Sequence, residues 1–172
     1  SKIFASLDGV EGYFQAPLDP NSYDYAAMVT DSIYSFTRIT MGQSSSAGWF
    51  QHMMQRVLEG NMEPVTHLDS QKQALQRLPS TIRNSPLTNL FKDGVLQYLD
   101  DALVHSDSTD VLLVRLDRYF TRMRKFGIYL KPTKAVLYSQ RCRFLGWLVQ
   151  ADGVSVDPEK RAALGRIPLP TT

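Results

Sequence analysis

One cysteine, Cys142, stands in the whole 172-residue chain, so no internal disulfide framework and no multi-cysteine zinc site can be built. Histidine is nearly as scarce: His52, His67 and His105 are scattered without metal-ligand spacing. No apolar run approaches the roughly 18 residues that a membrane span needs. Ser1-Lys2-Ile3-Phe4 runs straight into a strand-like pattern and not a leader, so no membrane partner is expected. Internal repeats and low-complexity tracts are absent. An excess of one charge is lacking too. The 19 Lys+Arg and 17 Asp+Glu leave a formal net charge of +2, too mild to announce nucleic acid, so any such claim rests on where the charges sit. What is there is an ordinary globular composition, at a length that suits one domain with a sizeable core. The chain has no initiator Met and closes on Ile167-Pro168-Leu169-Pro170-Thr171-Thr172; it is expected to be a segment of a longer polypeptide.

Ile3 to Leu7 predicts a buried strand ending on Asp8. Ala26 to Thr30 and Ile33 to Ile39 predict two strands about an Asp31-Ser32 turn. Phe50, Met53, Met54, Val57 and Leu58 follow helical spacing after Ser44-Ser45-Ser46, with Gly60 to close the helix. Residues 61 to 94 are less regular. Ser70 and Gln73 have capping-box spacing, and Ser85-Pro86 suits a helix start before Leu87, Leu90 and Phe91. Val95 to Leu99 and Ala102 to His105 flank Asp100-Asp101 as a hairpin with two acids at its tip. Leu112, Leu116, Tyr119, Phe120 and Met123 form one apolar helical stripe ended by Gly127. Arg115, Arg118, Arg122 and Lys125 lie on its other faces. Ala135 to Tyr138 and Phe144 to Gln150 predict strands, Asp152-Gly153 a turn before Val154-Ser155-Val156, and Asp157-Pro158 the start of a last helix. The elements alternate without a βαβ rhythm, which predicts an α+β fold: an antiparallel sheet with helices packed on one face.

Two adjacent aspartates at a hairpin tip repel, and one is expected to hold a proton unless a counterion is supplied. Such pairs are either solvated turn residues or ligands of a divalent cation. Mg²⁺ takes carboxylate oxygens, keeps several waters and completes its shell with substrate phosphates. Asp8, at the end of another apolar strand, is a candidate third acid if the two strands are neighbours. Two strand-borne acid sites facing each other would hold two metals, an arrangement that activates an attacking oxygen and stabilises the leaving one in phosphoryl transfer.

The surroundings of these acids carry a resemblance. Tyr98-Leu99-Asp100-Asp101 resembles the Tyr-x-Asp-Asp box of reverse transcriptases. The run from Leu7-Asp8-Gly9-Val10 to Tyr13-Phe14-Gln15-Ala16-Pro17-Leu18 resembles the segment with their other catalytic aspartate. Met41-Gly42-Gln43 through Trp49-Phe50-Gln51 is similar to the next box, Gly127 to Lys134 to the following Gly/Pro/Lys segment, and Phe144-Leu145-Gly146 to the primer-grip turn. Val154 to Lys160, with Ile167-Pro168-Leu169-Pro170, resembles the start of the thumb. The order and spacing match gypsy-type long-terminal-repeat retrotransposon polymerases.

The resemblance implies a right-hand polymerase palm over residues 1–172, with an insertion at 61–94 and the thumb starting from about residue 154. It implies RNA-directed DNA polymerisation by two-metal nucleotidyl transfer. Asp8, Asp100 and Asp101 would be catalytic and would hold two Mg²⁺ ions, for which Mn²⁺ can substitute. Asp8 and Asp100 would be the direct ligands and Asp101 a partial one, and the carbonyl of Gly9 or Val10 would also touch metal. Tyr13 would exclude a 2′-hydroxyl, or be a core tyrosine. Met41, Gly42 and Gln43 would lie against the nucleotide, although Met41 and Gln43 depart from the family's usual residues. Lys134 would screen or protonate pyrophosphate, or be an exposed loop lysine. Leu145, Gly146 and Trp147 would support the primer end. Arg115, Arg118, Arg122 and Lys125 would face template-primer phosphates, or form a solvated helix face. The implied partners are an RNA or DNA template with primer, deoxynucleoside triphosphates, and the fingers, thumb and RNase H regions of a parent polyprotein. The segment alone is then expected to be inactive, and the location intracellular, cytoplasmic or nuclear, within retrotransposon particles. The alternative is a domesticated or decayed palm serving as a non-catalytic binding or structural module. An RNA-directed RNA polymerase is disfavoured by the bulk of Tyr13.

Overall fold

A computed structural model describes residues 1–62, 73, 76–84, 87–164 and 166. Strand β1 (Ile3–Asp8) leads into a single helical turn α1 (Gly12–Gln15) and a hairpin of β2 (Ala27–Val29) and β3 (Ile33–Ser35). Helices α2 (Ser46–Glu59) and α3 (Ser80–Arg83) follow, then β4 (Val95–Tyr98), β5 (Asp101–Ser106) and the long helix α4 (Thr109–Phe126). The chain continues through β6 (Val136–Ser139), β7 (Arg141–Phe144), β8 (Trp147–Gln150), β9 (Gly153–Val156) and helix α5 (Pro158–Leu164). Four strands make an antiparallel sheet in the order β4-β5-β1-β6, and β7-β8-β9 make a second one. The expected α+β architecture stands.

Strand alternation sorts the main sheet into two faces. In the β1–β5 register Ala5 lies opposite Val104 and Leu7 opposite Ala102. These residues join Phe50, Met54, Val57 and Leu58 of α2 and Leu112, Leu116, Tyr119 and Met123 of α4 in one core. The other face carries Phe4 and Leu103, which pack with Cys142, Phe144 and Val149 of the second sheet. Helices therefore cover one face, and the second sheet leans on part of the other.

Local chemistry sets the helix ends. Gly60 and Gly127 terminate α2 and α4 in the left-handed conformation, which costs a glycine no Cβ clash. The Ser108 side chain caps α4 through the Val111 N–H, and Asp157 caps α5 through the Glu159 N–H at 3.1 Å.

Several expectations are corrected. Phe144 to Gln150 is not one strand: Leu145 (φ 51°) and Gly146 (φ 81°) turn the chain between β7 and β8. Two successive left-handed residues suit a two-residue hairpin and cannot continue a strand. The β2–β3 strands are three residues each. Leu87 to Asn89 are not helical; a 3₁₀ turn follows over Leu90–Asp93, where the Asn89 side chain accepts from the Phe91 N–H and left-handed Gly94 ends the turn. The helix starts read at Ser70 and at Ser85-Pro86 lie outside the described residues. Three arginines of α4 are engaged with protein. Arg115 donates to the His105 carbonyl, Arg118 pairs with Asp93 at 2.8 Å, and Arg122 is buried against backbone carbonyls. These three arginines do not form a phosphate-facing row.

Candidate active site

The alternation that buries Leu7 and Ala102 under the helices turns Asp8 and Asp101 to the opposite face. The two are cross-strand partners at the end of the β1–β5 ladder. Asp100 sits beside them in a two-residue turn with Leu99, since Tyr98 pairs with Asp101. The acids thus differ from the expected tip: Asp101 already belongs to the strand.

The loop after Asp8 is pressed onto this turn. The Gly9 N–H donates to the Asp100 carbonyl at 2.8 Å. A Cβ on Gly9 would lie 3.2 Å from Asp100 Cβ. On Gly12 it would lie 3.0 Å from the buried Phe50 ring and 3.3 Å from Asp100 Cβ. Gly12, which the sequence did not flag, is therefore a spacer that lets α1 approach the acids.

Residues 129–131 run alongside this loop. The Val10 N–H donates to the Tyr129 carbonyl at 3.0 Å and the Lys131 N–H to the Asp8 carbonyl at 2.7 Å. Gln15 fastens the junction. It donates to the Val10 and Tyr129 carbonyls and accepts from the Tyr129 N–H at 2.5 Å. The chain then enters a 3₁₀ turn, Pro132–Lys134. Lys134 Nζ reaches Asp8 Oδ2 at 2.6 Å. The Lys134 side chain is largely exposed along its length, with its ammonium held against Asp8.

Charge crowding is visible in the proton affinities. Burial pushes the Asp101 carboxyl above the ordinary carboxylate range, the negative charges of Asp100 and Asp8 add to this, and Lys134 opposes it. Lys134 is raised in turn, first by its hydrogen bond to Asp8 and then by the surrounding negative charge. A raised folded-state pKa means that Asp101 holds its proton more tightly in the native chain than in the unfolded one. Stability then falls as pH rises from the unfolded value through the folded one. Asp101→Asn is expected to raise the Tm of metal-free protein at pH 7, with the advantage vanishing in acid; thermal melts at both pH values check it.

Among the described residues no three His, Cys, Asp or Glu side chains are grouped as a ready-made metal cage. The donor chemistry still fits a divalent cation. The oxygens are hard and anionic, their mutual repulsion calls for positive charge, and a lysine ammonium already lies against one of them. Mg²⁺ needs only one or two protein carboxylates, with water and phosphate completing the shell.

Two strained residues adjoin the acids. Among the described residues three non-glycine residues have left-handed φ: Glu11 (46°), Leu99 (50°) and Leu145 (51°). They lie in the loop after Asp8, in the Asp100 turn and in the β7–β8 turn. Each costs about 1–2 kcal/mol, and such strain concentrates where function requires a fixed backbone.

The remaining predicted residues are placed as follows. Tyr13, on α1, is half-buried and meets Phe50 edge-on at a centroid distance of 5.6 Å. Met41, Gly42 and Gln43 form the turn before α2. Met41 is exposed, and a Cβ on Gly42 (φ 92°) would meet open space. Among the described residues no hydrogen bond or ion pair joins these three to the acids. Leu145, Gly146 and Trp147 lie in the second sheet, where the Gly146 carbonyl accepts from the Asp157 N–H at 3.2 Å and Leu145 and Trp147 are exposed.

A sequence profile of the family described as reverse transcriptase (RNA-dependent DNA polymerase) matches residues 1–149. The chain belongs to this reverse transcriptase family. Two Drosophila melanogaster relatives agree along its whole length. The retrovirus-related Pol polyprotein from transposon opus is 23% identical over 100% of this chain and 14% of its own length. That from transposon 297 is 25% identical over 99% of this chain and 13% of its own. The reverse transcriptase domain thus spans about one-seventh of the length of the curated relatives it matches. A solved foamy viral protease-reverse transcriptase, in complex with double-stranded DNA, superposes with a TM-score of 0.71 at 18% identity, over 99% of this chain and 25% of that one. The likeness shows a shared fold.

Proposed function

We propose that this domain is the palm of an RNA-directed DNA polymerase that adds deoxynucleotides to a primer 3′-hydroxyl by two-metal transfer. The observation that carries the reading is the Asp8–Asp101 cross-strand pair with Asp100 in the strained turn beside it. Asp8 and Asp101 lie on the sheet face away from the helices. Asp8 and Asp100 would hold two Mg²⁺ ions, with Asp101 a partial ligand and the carbonyl of Gly9 or Val10 in reach. When bound, the ions supply positive charge to a triphosphate and lower the pKa of the attacking hydroxyl.

The chain's own residues do the rest. Lys134 donates a charged hydrogen bond that can pass from Asp8 to a departing phosphate. Tyr13, seated on Phe50 next to Gly12, would fill the space beside the sugar 2′-carbon. Met41, Gly42 and Gln43 would line the nucleotide, and Leu145, Gly146 and Trp147 the primer end. Template, fingers, thumb and RNase H would come from the rest of a polyprotein. Residues 61–94 are read as an insertion on the palm, and the thumb as starting near residue 154. The 172-residue segment alone is then not expected to extend a primer, because catalysis of this kind is largely positioning.

The test is extension of a primer on an RNA template by a longer polyprotein segment that includes this domain. Incorporation should require Mg²⁺ or Mn²⁺, stop with chelator and resume on adding metal. A folded, metal-supplied enzyme that incorporates nothing would end the reading. In the active enzyme, Tyr13→Ala should weaken discrimination against ribonucleotides by about tenfold or more; unchanged discrimination would make Tyr13 a packing residue only.

A further inference from the structure

The turn that carries Asp100 is held by side chains outside the acid cluster. Leu99 adopts φ 50°, a conformation that a leucine does not hold unaided. Its N–H donates to Gln51 Oε1 at 2.6 Å. Its carbonyl accepts from Gln97 Nε2 at 2.7 Å. Gln97 is itself oriented: the Tyr119 hydroxyl donates to Gln97 Oε1 at 3.0 Å. Tyr119 is fully buried in the core, and burial pushes its phenol ionisation well up, so it remains an O–H donor. With Oε1 taken by that hydroxyl, Nε2 of Gln97 is left to face Leu99.

Two side chains therefore hold one residue's backbone, Gln51 of α2 and Gln97 of β4, and Tyr119 of α4 holds Gln97. Gln97 lies opposite Ala102 on the helix-covered face, where strand alternation calls for an apolar side chain. A polar residue there needs a partner, and this one has two. We infer that Gln51, Gln97 and Tyr119 are positioning residues that lock the Leu99 turn and so set where the Asp100 carboxylate points. The inference rests on the polymerase reading of the acids.

The experiment uses the active longer enzyme with Gln51→Met, Gln97→Met and Tyr119→Phe, singly, and with Gln51→Met and Tyr119→Phe combined. Tyr119→Phe removes one oxygen and keeps the buried ring, and Gln51 is only half-buried, so both variants should fold. The readouts are kcat, KM for primer-template, and amide hydrogen exchange at Leu99. A misplaced reacting group can cost about a hundredfold, so kcat should fall about ten- to a hundredfold with KM within about twofold. Leu99 should exchange faster, and the double variant should lose less than the product of the two single losses. Faster exchange with unchanged kcat would overturn the inference, because the turn would then be loose without consequence. A lower kcat with unchanged exchange would overturn it as well. If the wild-type enzyme does not polymerise, or Asp100→Asn leaves it active, the polymerase reading itself fails. That pattern is distinct from an active enzyme indifferent to these three residues.

Discussion

Asp100→Asn, in an active enzyme that carries this domain, is expected to lower kcat by about a thousandfold or more while leaving the fold intact. The two halves of that expectation have separate causes. Asparagine is nearly isosteric, Asp100 is exposed in its turn, and its backbone carbonyl, which the substitution leaves in place, accepts from the Gly9 N–H. Nothing buried is emptied, and the lost charge is one that crowds Asp101, so the metal-free variant should melt no lower than wild type. The missing charge is another matter. A metal that stabilises charge in a transition state is worth several kcal/mol, and about 4 kcal/mol is a thousandfold in rate. Asn keeps one neutral oxygen, a poor replacement for a carboxylate toward Mg²⁺. Primer extension with matched thermal melts checks both halves. Wild-type activity in this variant would exclude the assigned role, and a collapsed melt would show that Asp100 is structural.

The second large effect concerns stability. Arg122 is 3% exposed. It donates to the Val57 and Leu58 carbonyls and, at 2.7 Å, to the Thr88 carbonyl. Val57 and Leu58 lie in the last turn of α2, whose carbonyls have no partner within the helix and form the negative end of its dipole. One guanidinium thus ties the end of α2 to α4 and to the Thr88 segment. Burial lowers its proton affinity, yet arginine stays charged. Arg122→Ala removes the donor and leaves buried acceptors unmet, at about 1–3 kcal/mol each. A net loss of about 3–5 kcal/mol is expected, out of a total of roughly 5–15 kcal/mol for a domain. Urea unfolding should show a lower midpoint with an unchanged slope. Arg122→Lys should lie between, because one ammonium cannot span both the helix end and Thr88 as a planar fork does. A loss under about 1 kcal/mol would mean that these bonds do not hold the helix.

Arg122 also shows where reading from sequence stops. On a helical wheel Arg115, Arg118 and Arg122 are alike, three cations off the apolar stripe. Which of them is buried depends on what stands opposite, and the end of α2 arrives from about 65 residues away along the chain. Gln51, Gln97 and Tyr119 were missed for the same reason. Gln51 closes one of the boxes but no role attaches to it there, Gln97 and a core tyrosine carry no motif, and their hydrogen bonds join three elements distant in sequence. Gln97 left one signal, a polar side chain at a core-facing strand position, and that signal appears only once the strand's two faces are known.

What the sequence determined by itself is local or ordered along the chain. The α2 and α4 stripes, their closing glycines, the Asp100 hairpin and the strand ending on Asp8 follow from periodicity and capping, which act over a few residues. The order and spacing of the boxes pointed to the reverse transcriptase family, which the match over residues 1–149 bears out. Tertiary structure alone decided that Asp8 faces Asp101 across a strand pair, that Lys134 reaches Asp8, and that Gly12 makes room beside Asp100. The physical reason is register. Side chains alternate with period two, so one residue of slip between β1 and β5 would bury these acids under the helices. Only the packing of Leu7 and Ala102 against α2 and α4 excludes that slip.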